Sequence, residues 1–554
     1  MQHRLRPVFL ACAVAAVAGT ASAQVTTTWT GDATSTWTST ANWTNGVPVS
    51  GDTAVFSGTP ARLPTLGPTV TRIISALRYD GTVGVDFNLG PAPSTLSLAN
   101  NAAVTLLAQN SAVAQTMNNV LQVYTTGSAT SRTPTISLAG GDLTLLGGLR
   151  WGTQTGSGTT NVLTVSGPGT LNVGPASGTS AAVFRGDLTT NGSINGIASS
   201  IRFNGDATSG QTVNLNVTAA NYAAIDGTSG NGVVLGGRVT VNVVNVAGPD
   251  AAQFTFASGT QNAALNLAGT ASATFSRDVG FTAAAVTGGT QTLGGTSAGN
   301  TVTYSGDIGV AGTGNTVALS AGPNTTTRFA AGGTFTGSRP VQVVGPGTVE
   351  FSRAAGSYAG AFTVAAGATL AGTGTVGTGG LTVAGTLAPG QSGVGTLTSA
   401  GGPVQFGAGS TFAAQLAGAA ASDLLALTPG GRTVNFASTG ATAADKLTVA
   451  LSSAGFTGTS YNLITGVATF QVNGAAPGTA VLGEYQVGAG NINGRDVLLD
   501  VGGLGGLSDG DLFRLVASGT NLQLLFIPVP EPATVLAVAA AGLGLARLRR
   551  RRLG

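Results

Sequence analysis

The 554-residue chain predicts an elongated all-β protein, a β-solenoid of stacked coils, and three observations carry that expectation. Between about Val104 and Gly418 short runs alternate apolar and small polar residues, as in Leu143-Thr-Leu145, Leu163-Thr-Val165 and Val213-Asn-Leu215-Asn-Val217. Period two turns one side of each run inward and sets Thr, Ser or Asn outward. Gly, Asn or Pro interrupts the runs at intervals of about 8 to 12 residues, the spacing of all-β architectures. Glycine reaches 88 of 554 while charged residues are 8% of the chain, against about 25% in ordinary globular proteins. With 42% hydrophobic residues this is a chain of Gly-rich turns between strands rather than a disordered one. Stacking coils at about 4.8 Å pairs the edges that each coil would leave open. The repeat spacing predicts roughly 20 coils and a rod of about 100 Å.

The expected organisation is a leader (1–23), an N-terminal β cap (24–103), a coil array (104–424), a C-terminal β cap (425–526) and a tail (527–554). The leader reads as a secretory signal peptide. His3, Arg4 and Arg6 form a charged start, Val8 to Val17 an apolar run, and Ala21-Ser22-Ala23 a small-residue cleavage site that leaves Gln24 first. Cys12 offers a lipoprotein reading, which the few apolar residues ahead of it disfavour. Export of this kind implies the Sec translocon and signal peptidase as partners.

The N-terminal cap holds three of the four tryptophans, Trp29, Trp37 and Trp43, with a turn signal at Asn45-Gly46 and a strand-limiting Pro48. Two uses stay open. The rings either plug the end of the array, since terminal repeats need atypical caps, or form an exposed platform for stacking sugars. Exposure of Trp29, Trp37, Trp43 or Trp151 decides between them.

In the array, Val165-Ser-Gly-Pro-Gly-Thr-Leu171 recurs as Val343-Val-Gly-Pro-Gly-Thr-Val349. The block from Gly345 to Gly418 is the most regular. Its Gly345-Pro-Gly-Thr348, Tyr358-Ala-Gly360, Thr363-Val364, Ala366-Gly367, Leu387-Ala-Pro-Gly390 and Gly395-Thr-Leu397 resemble the autotransporter-associated β-strand repeats of bacterial surface proteins. That resemblance implies a right-handed parallel β-helix. Autotransporters also carry a membrane-spanning barrel of alternating strands, a pattern this sequence does not show.

After Leu424 charge returns, with Lys446, Glu484, Arg495, Asp496, Asp500, Asp509, Asp511 and Arg514 among strand-forming runs such as Leu522 to Phe526. Asp509-Gly-Asp511 reads as a turn, since it lacks the further oxygen ligands of a calcium loop.

The tail has three parts in fixed order. Pro528, Pro530 and Pro532 flank Val529 and Glu531 in an extended segment. An uncharged apolar run from Ala533 to Ala546 follows, and Arg547, Arg549, Arg550, Arg551 and Arg552 close it. Such arginines stay cytoplasmic, placing the residues before Pro528 outside the inner membrane. The run is shorter than the roughly 20 residues of an ordinary span, though snorkelling arginines extend its reach. Through Val529-Pro530-Glu531-Pro532, the short apolar helix and the arginine cluster, this tail resembles the PEP-CTERM sorting signal of Gram-negative bacteria. The resemblance implies an exosortase partner, removal of the tail, delivery to the cell surface or matrix, and association with exopolysaccharide or biofilm. An unprocessed tail anchor is the alternative.

Composition excludes several chemistries. Once the two leader arginines and five tail arginines are set aside, the 23 basic residues fall to 16 against 19 or 20 acidic ones, so the basic balance is a topology signal and no nucleic-acid partner is expected. The one histidine (His3) and the one cysteine (Cys12) leave with the leader. What remains has no Ser–His–Asp or Cys–His system and no ordinary zinc ligands. Glu350 and Glu484 are the only glutamates besides Glu531, and most aspartates stand beside glycine as in Gly186-Asp187 and Gly306-Asp307. No catalytic, cofactor or metal residues are assigned. A secreted, non-catalytic surface or matrix rod is therefore expected, ahead of a polysaccharide-binding adhesin and a polysaccharide lyase or hydrolase.

Overall fold

The structure, a computed structural model, describes residues 24–66, 71–81, 95–100, 105–118, 120–125, 135–146, 149–153, 164–173, 201–205, 211–216, 233–244, 254–256, 262–281, 289–312, 316–354, 358–390, 393–428, 431–440, 442–492 and 495–529. The signal peptide, including Ala21 and Ala23, and the tail from Pro530, including Glu531, Pro532, Arg547, Arg549, Arg550, Arg551 and Arg552, lie outside the described residues.

Short strands joined by tight turns make up almost all of the described chain. Its only helical pieces are two three-residue 3-10 turns, Thr40–Asn42 and Ala443–Asp445. No helix among the described residues is long and apolar enough to cross a membrane. The strands assemble into six sheets, the largest of 14 strands. From Ala264 to Phe351 the chain visits three sheets in a fixed rotation, and from Thr375 the eight-stranded sheet replaces the third of them. Val317–Ala321, Thr326–Phe329 and Phe335–Gly337 are followed by Val341–Val344, which returns to pair in parallel with Val317–Ala321. Long parallel sheets wound in this way are compatible with a β-solenoid.

Alternation sets the core. In the 14-stranded sheet Leu143, Leu171, Val213, Val241, Leu265, Leu293, Leu319 and Val343 stand in one register row, and every one is fully buried. Burying each such side chain contributes about 1.5–3 kcal/mol. The row continues through Val364, Val383, Phe406 and Phe436, where the rings of Phe406 and Phe436 stack 5.8 Å apart.

The recurring Gly-Pro-Gly-Thr is a corner rather than part of a face. Gly167 and Gly345 adopt φ of +99° and +89°, and a Cβ there would meet the carbonyl oxygens of Leu138 and Ala321 at 2.5 and 2.3 Å. Only glycine fits such a left-handed, crowded position. The first copy leads into the 14-stranded sheet at Thr170–Val173, and the second leads out of it into Thr348–Phe351. One turn chemistry thus serves two different corners.

The 14 strands make 13 steps, about 60 Å at β-sheet spacing. The longest sheet therefore has fewer rungs than the roughly 20 coils expected. Coil length varies, from 24 residues between Asn242 and Asn266 to 42 between Asn172 and its rung partner Asn214. Chain is also spent at the two ends. Parallel pairing starts at Thr26–Thr28 with Thr53–Phe56 and continues beyond Leu424 to Val467–Val472 in the 14-stranded sheet and to Val497–Gly503 in the ten-stranded one. The direction then reverses, because Ser460–Thr465, Asn521–Ile527, Leu512–Ser518 and Val481–Gln486 pair in antiparallel succession.

Candidate functional surface

The outward side of the 14-stranded sheet carries uncharged polar residues in register. Thr116, Thr144, Asn172, Asn214, Asn242 and Asn266 form one row. Each amide donates back to the rung before it: Asn172 Nδ2 to Thr144 Oγ1 at 3.3 Å, Asn214 to Asn172 Oδ1 at 2.8 Å, Asn242 to Asn214 at 2.8 Å and Asn266 to Asn242 at 3.3 Å. A ladder of this kind satisfies half-buried amides without ions and repeats at the strand spacing. A second row runs Gln342, Thr363, Thr382, Gln405, Asn435 and Gln471 in the later half of the sheet. Sequence alternation foretold that Thr and Asn face outward; the stacking of the asparagines depends on pairings across 24 to 42 residues.

The tryptophans do not form a surface. Trp29, Trp37 and Trp43 are 1%, 0% and 5% exposed and pack on one another and on Phe56. Trp43 Nε1 donates to the Trp37 carbonyl and Trp29 Nε1 to the Arg62 carbonyl, both at 2.7 Å. Sugar stacking needs an open ring face, and these rings are closed over by their neighbours. Their geometry is that of a plug. The Trp151 side chain lies outside the described residues.

Several aspartates serve turns. Asp278 Oδ1 accepts from the Asp307 N–H at 2.8 Å, and Asp307 Oδ1 accepts from the Thr334 N–H at 2.7 Å, one rung on. The hydrogen bonds from Thr334 hold the Asp307 carboxyl below its usual range, helped by buried Arg353. Both carboxylates are thus engaged by backbone N–H groups at successive rungs. Asp511 accepts from Ser508 N and Val529 N at 2.8 and 2.9 Å, which makes Asp509-Gly-Asp511 a turn that ties down the last strand. No group of three metal-ligating side chains occurs among the described residues.

One carboxyl departs in the other direction. Asp423 lines a cavity of about 340 Å³ with Pro389, Gly390, Gly393, Gln415 and Ser452. Burial pushes it up to about 6, against the pull of the Gln415 and Gly395 N–H groups, which donate at 2.9 and 2.8 Å. Both oxygens are thus held by backbone, and the site is a brace between Gly395 and the strand Thr411–Gly418. Nothing local in Ala421-Ser-Asp423 signals it, because the cavity forms only where separate coils meet.

Of the terminal processing residues, Gln24 and Val529 are described. Gln24 Nε2 donates to Thr53 Oγ1, and Val529, two residues past the last strand, is 44% exposed. No family model matches the chain, and no curated protein matches it.

Proposed function

We propose that this chain is an exported, non-catalytic structural protein of the cell surface or extracellular matrix, with a body wound as a right-handed parallel β-helix. The observation that carries this reading is the 14-stranded in-register sheet, apolar on one side and uncharged polar on the other. Such a stack resists deformation along its length through ladder hydrogen bonds and a continuous core. Its outer rows offer repeated donors and acceptors to a hydrated polymer, and nothing in them is arranged to break a bond.

Delivery rests on the two ends of the sequence: Sec export with removal of 1–23 by signal peptidase, transient tethering in the inner membrane by 527–554, then exosortase recognition of Val529, Pro530, Glu531 and Pro532. The exposure of Val529 two residues past the last strand supports access by such an enzyme. The favoured partner is exopolysaccharide or biofilm matrix. A polysaccharide-binding adhesin is the second reading, and the polar rows favour it where the buried tryptophans do not. Co-sedimentation of Gln24–Ile527 with the producing cells' extracellular polysaccharide, read together with reducing ends, tests the assignment. Retention without new ends is the expected result. Release of new ends would make the protein an enzyme and overturn it.

A further inference from the structure

Of the 23 Lys and Arg residues, 22 are arginine and one is lysine, Lys446. It follows the 3-10 turn Ala443–Asp445 and enters the strand Leu447–Phe456. Its side chain is nearly buried, at 5% exposure, and Nζ donates to the Arg495 carbonyl. No carboxylate among the described residues lies within ion-pair distance of it. Neighbouring Asp445 turns its carboxylate to Thr442, accepting from its hydroxyl at 2.6 Å and its N–H at 3.1 Å. Lysines this buried are almost always paired, because an ammonium withdrawn from water without a counter-charge is costly.

Beside Lys446 lies a cavity of about 300 Å³, lined among the described residues also by Gly440, Asn491, Ile492, Arg495, Val497 and Leu498, with the Asp445 carboxylate against Gly440 at its edge. Arg495 reaches Glu484 through Nη2 at a long 3.3 Å, while Arg514 holds the same carboxylate at 2.7 Å. The Arg495 Nε is buried and has no hydrogen-bond partner. Asn491 is spent on the Leu499 backbone, through its amide nitrogen at 3.0 Å and its oxygen at 2.8 Å. The cationic groups at this cavity are the Lys446 ammonium and the Arg495 guanidinium, the latter also paired with Glu484, and they face walls of Ile492, Val497 and Leu498.

We propose that this cavity binds a carboxylate carried on a small ring, the chemistry of a uronic acid. Two cationic donors match the two oxygens of one carboxylate. A phosphate, with more oxygens and more charge, would leave part of itself unanswered. The apolar walls suit the C–H face of a ring, and the volume is at the small end of ligand sites. The carboxylate assignment stands on the cavity alone; its attachment to a sugar rests on the matrix reading.

The single lysine makes the test direct, because carbon-13 labelling at lysine Cε gives the full chain one side-chain signal. Titration with D-glucuronate should move that signal saturably below about 20 mM, with D-glucose inert. Lys446→Gln should weaken glucuronate binding by calorimetry at least about tenfold, and Lys446→Arg should restore most of it. A stationary signal overturns the proposal without recourse to any variant, and inorganic phosphate binding more tightly than glucuronate overturns the carboxylate assignment. Glucuronate binding with failed polymer retention would sink the matrix reading alone. Polymer retention with a stationary signal would sink the pocket alone.

Discussion

The two ends of the strand stack are closed by opposite chemistries. At the N-terminal end Trp37 and Trp43 meet edge to face at 4.8 Å, Trp29 and Trp43 at 5.0 Å, and Phe56 and Tyr79 continue the cluster inward. At the C-terminal end the chain reverses into antiparallel strands, and Glu484, 3% exposed, is gripped by Arg514 and Arg495. A uniform stack contains no instruction for where to stop, so each end needs its own closing contacts. The first end is a plug over an open core. At the second, the last parallel edge needs new partners, and a reversal of chain direction supplies them.

That contrast is broken most severely at the plug. Trp37→Ala should cost about 3–5 kcal/mol by urea unfolding, with little dependence on salt. An unchanged midpoint would mean that the rings do not carry the end. Glu484→Gln should cost about 2 kcal/mol, because it leaves two arginines facing a neutral amide. Arg514→Ala, at a side chain 41% exposed, should cost less than about 1 kcal/mol, and equal losses from the two changes would contradict the geometry. In the body, Asn214→Ala interrupts the amide ladder and should cost about 1 kcal/mol.

The raised Asp423 carboxyl also makes the stability depend on pH. Burial raises the Asp423 carboxyl to about 6 in the folded chain, above its ordinary value of 3.8, so the fold holds that proton more tightly than the unfolded chain does. Its contribution to stability therefore rises as pH falls from about 6 toward about 4, and the penalty is complete above about 6. Asp423→Asn should remove this slope from the wild-type thermal midpoint between about pH 4 and 7. An identical slope in both proteins would assign it to other groups.

Much of this was legible in the sequence because it is local. Leu143-Thr-Leu145 alternates and is buried, half-exposed and buried in turn. Gly167 and Gly345 mark corners that only glycine fits. The tryptophans left two uses open, and burial favours the plug. Pairing was not legible, since rung partners stand 28 residues apart at Thr144 and Asn172, 42 at Asn172 and Asn214, and 24 at Asn242 and Asn266. Nor was the antiparallel ending, which depends on strands from Ser460 to Ile527 meeting out of order. Lys446 is the one lysine of the sequence, but its cavity needs Asn491, Ile492, Arg495, Val497 and Leu498, and its Nζ reaches a carbonyl 49 residues on.

The central claim is that this body is carried outward and left at the cell surface. The most direct measurement follows a chain tagged both after Gln24 and after Gly554, by fractionation and surface proteolysis, beside a variant with Glu531 and Pro532 replaced by alanine. The account predicts surface-exposed protein that keeps the first tag and has lost the second, and a variant held uncut in the inner membrane. Full-length protein inside the cell, or a variant released like the wild type, would contradict it.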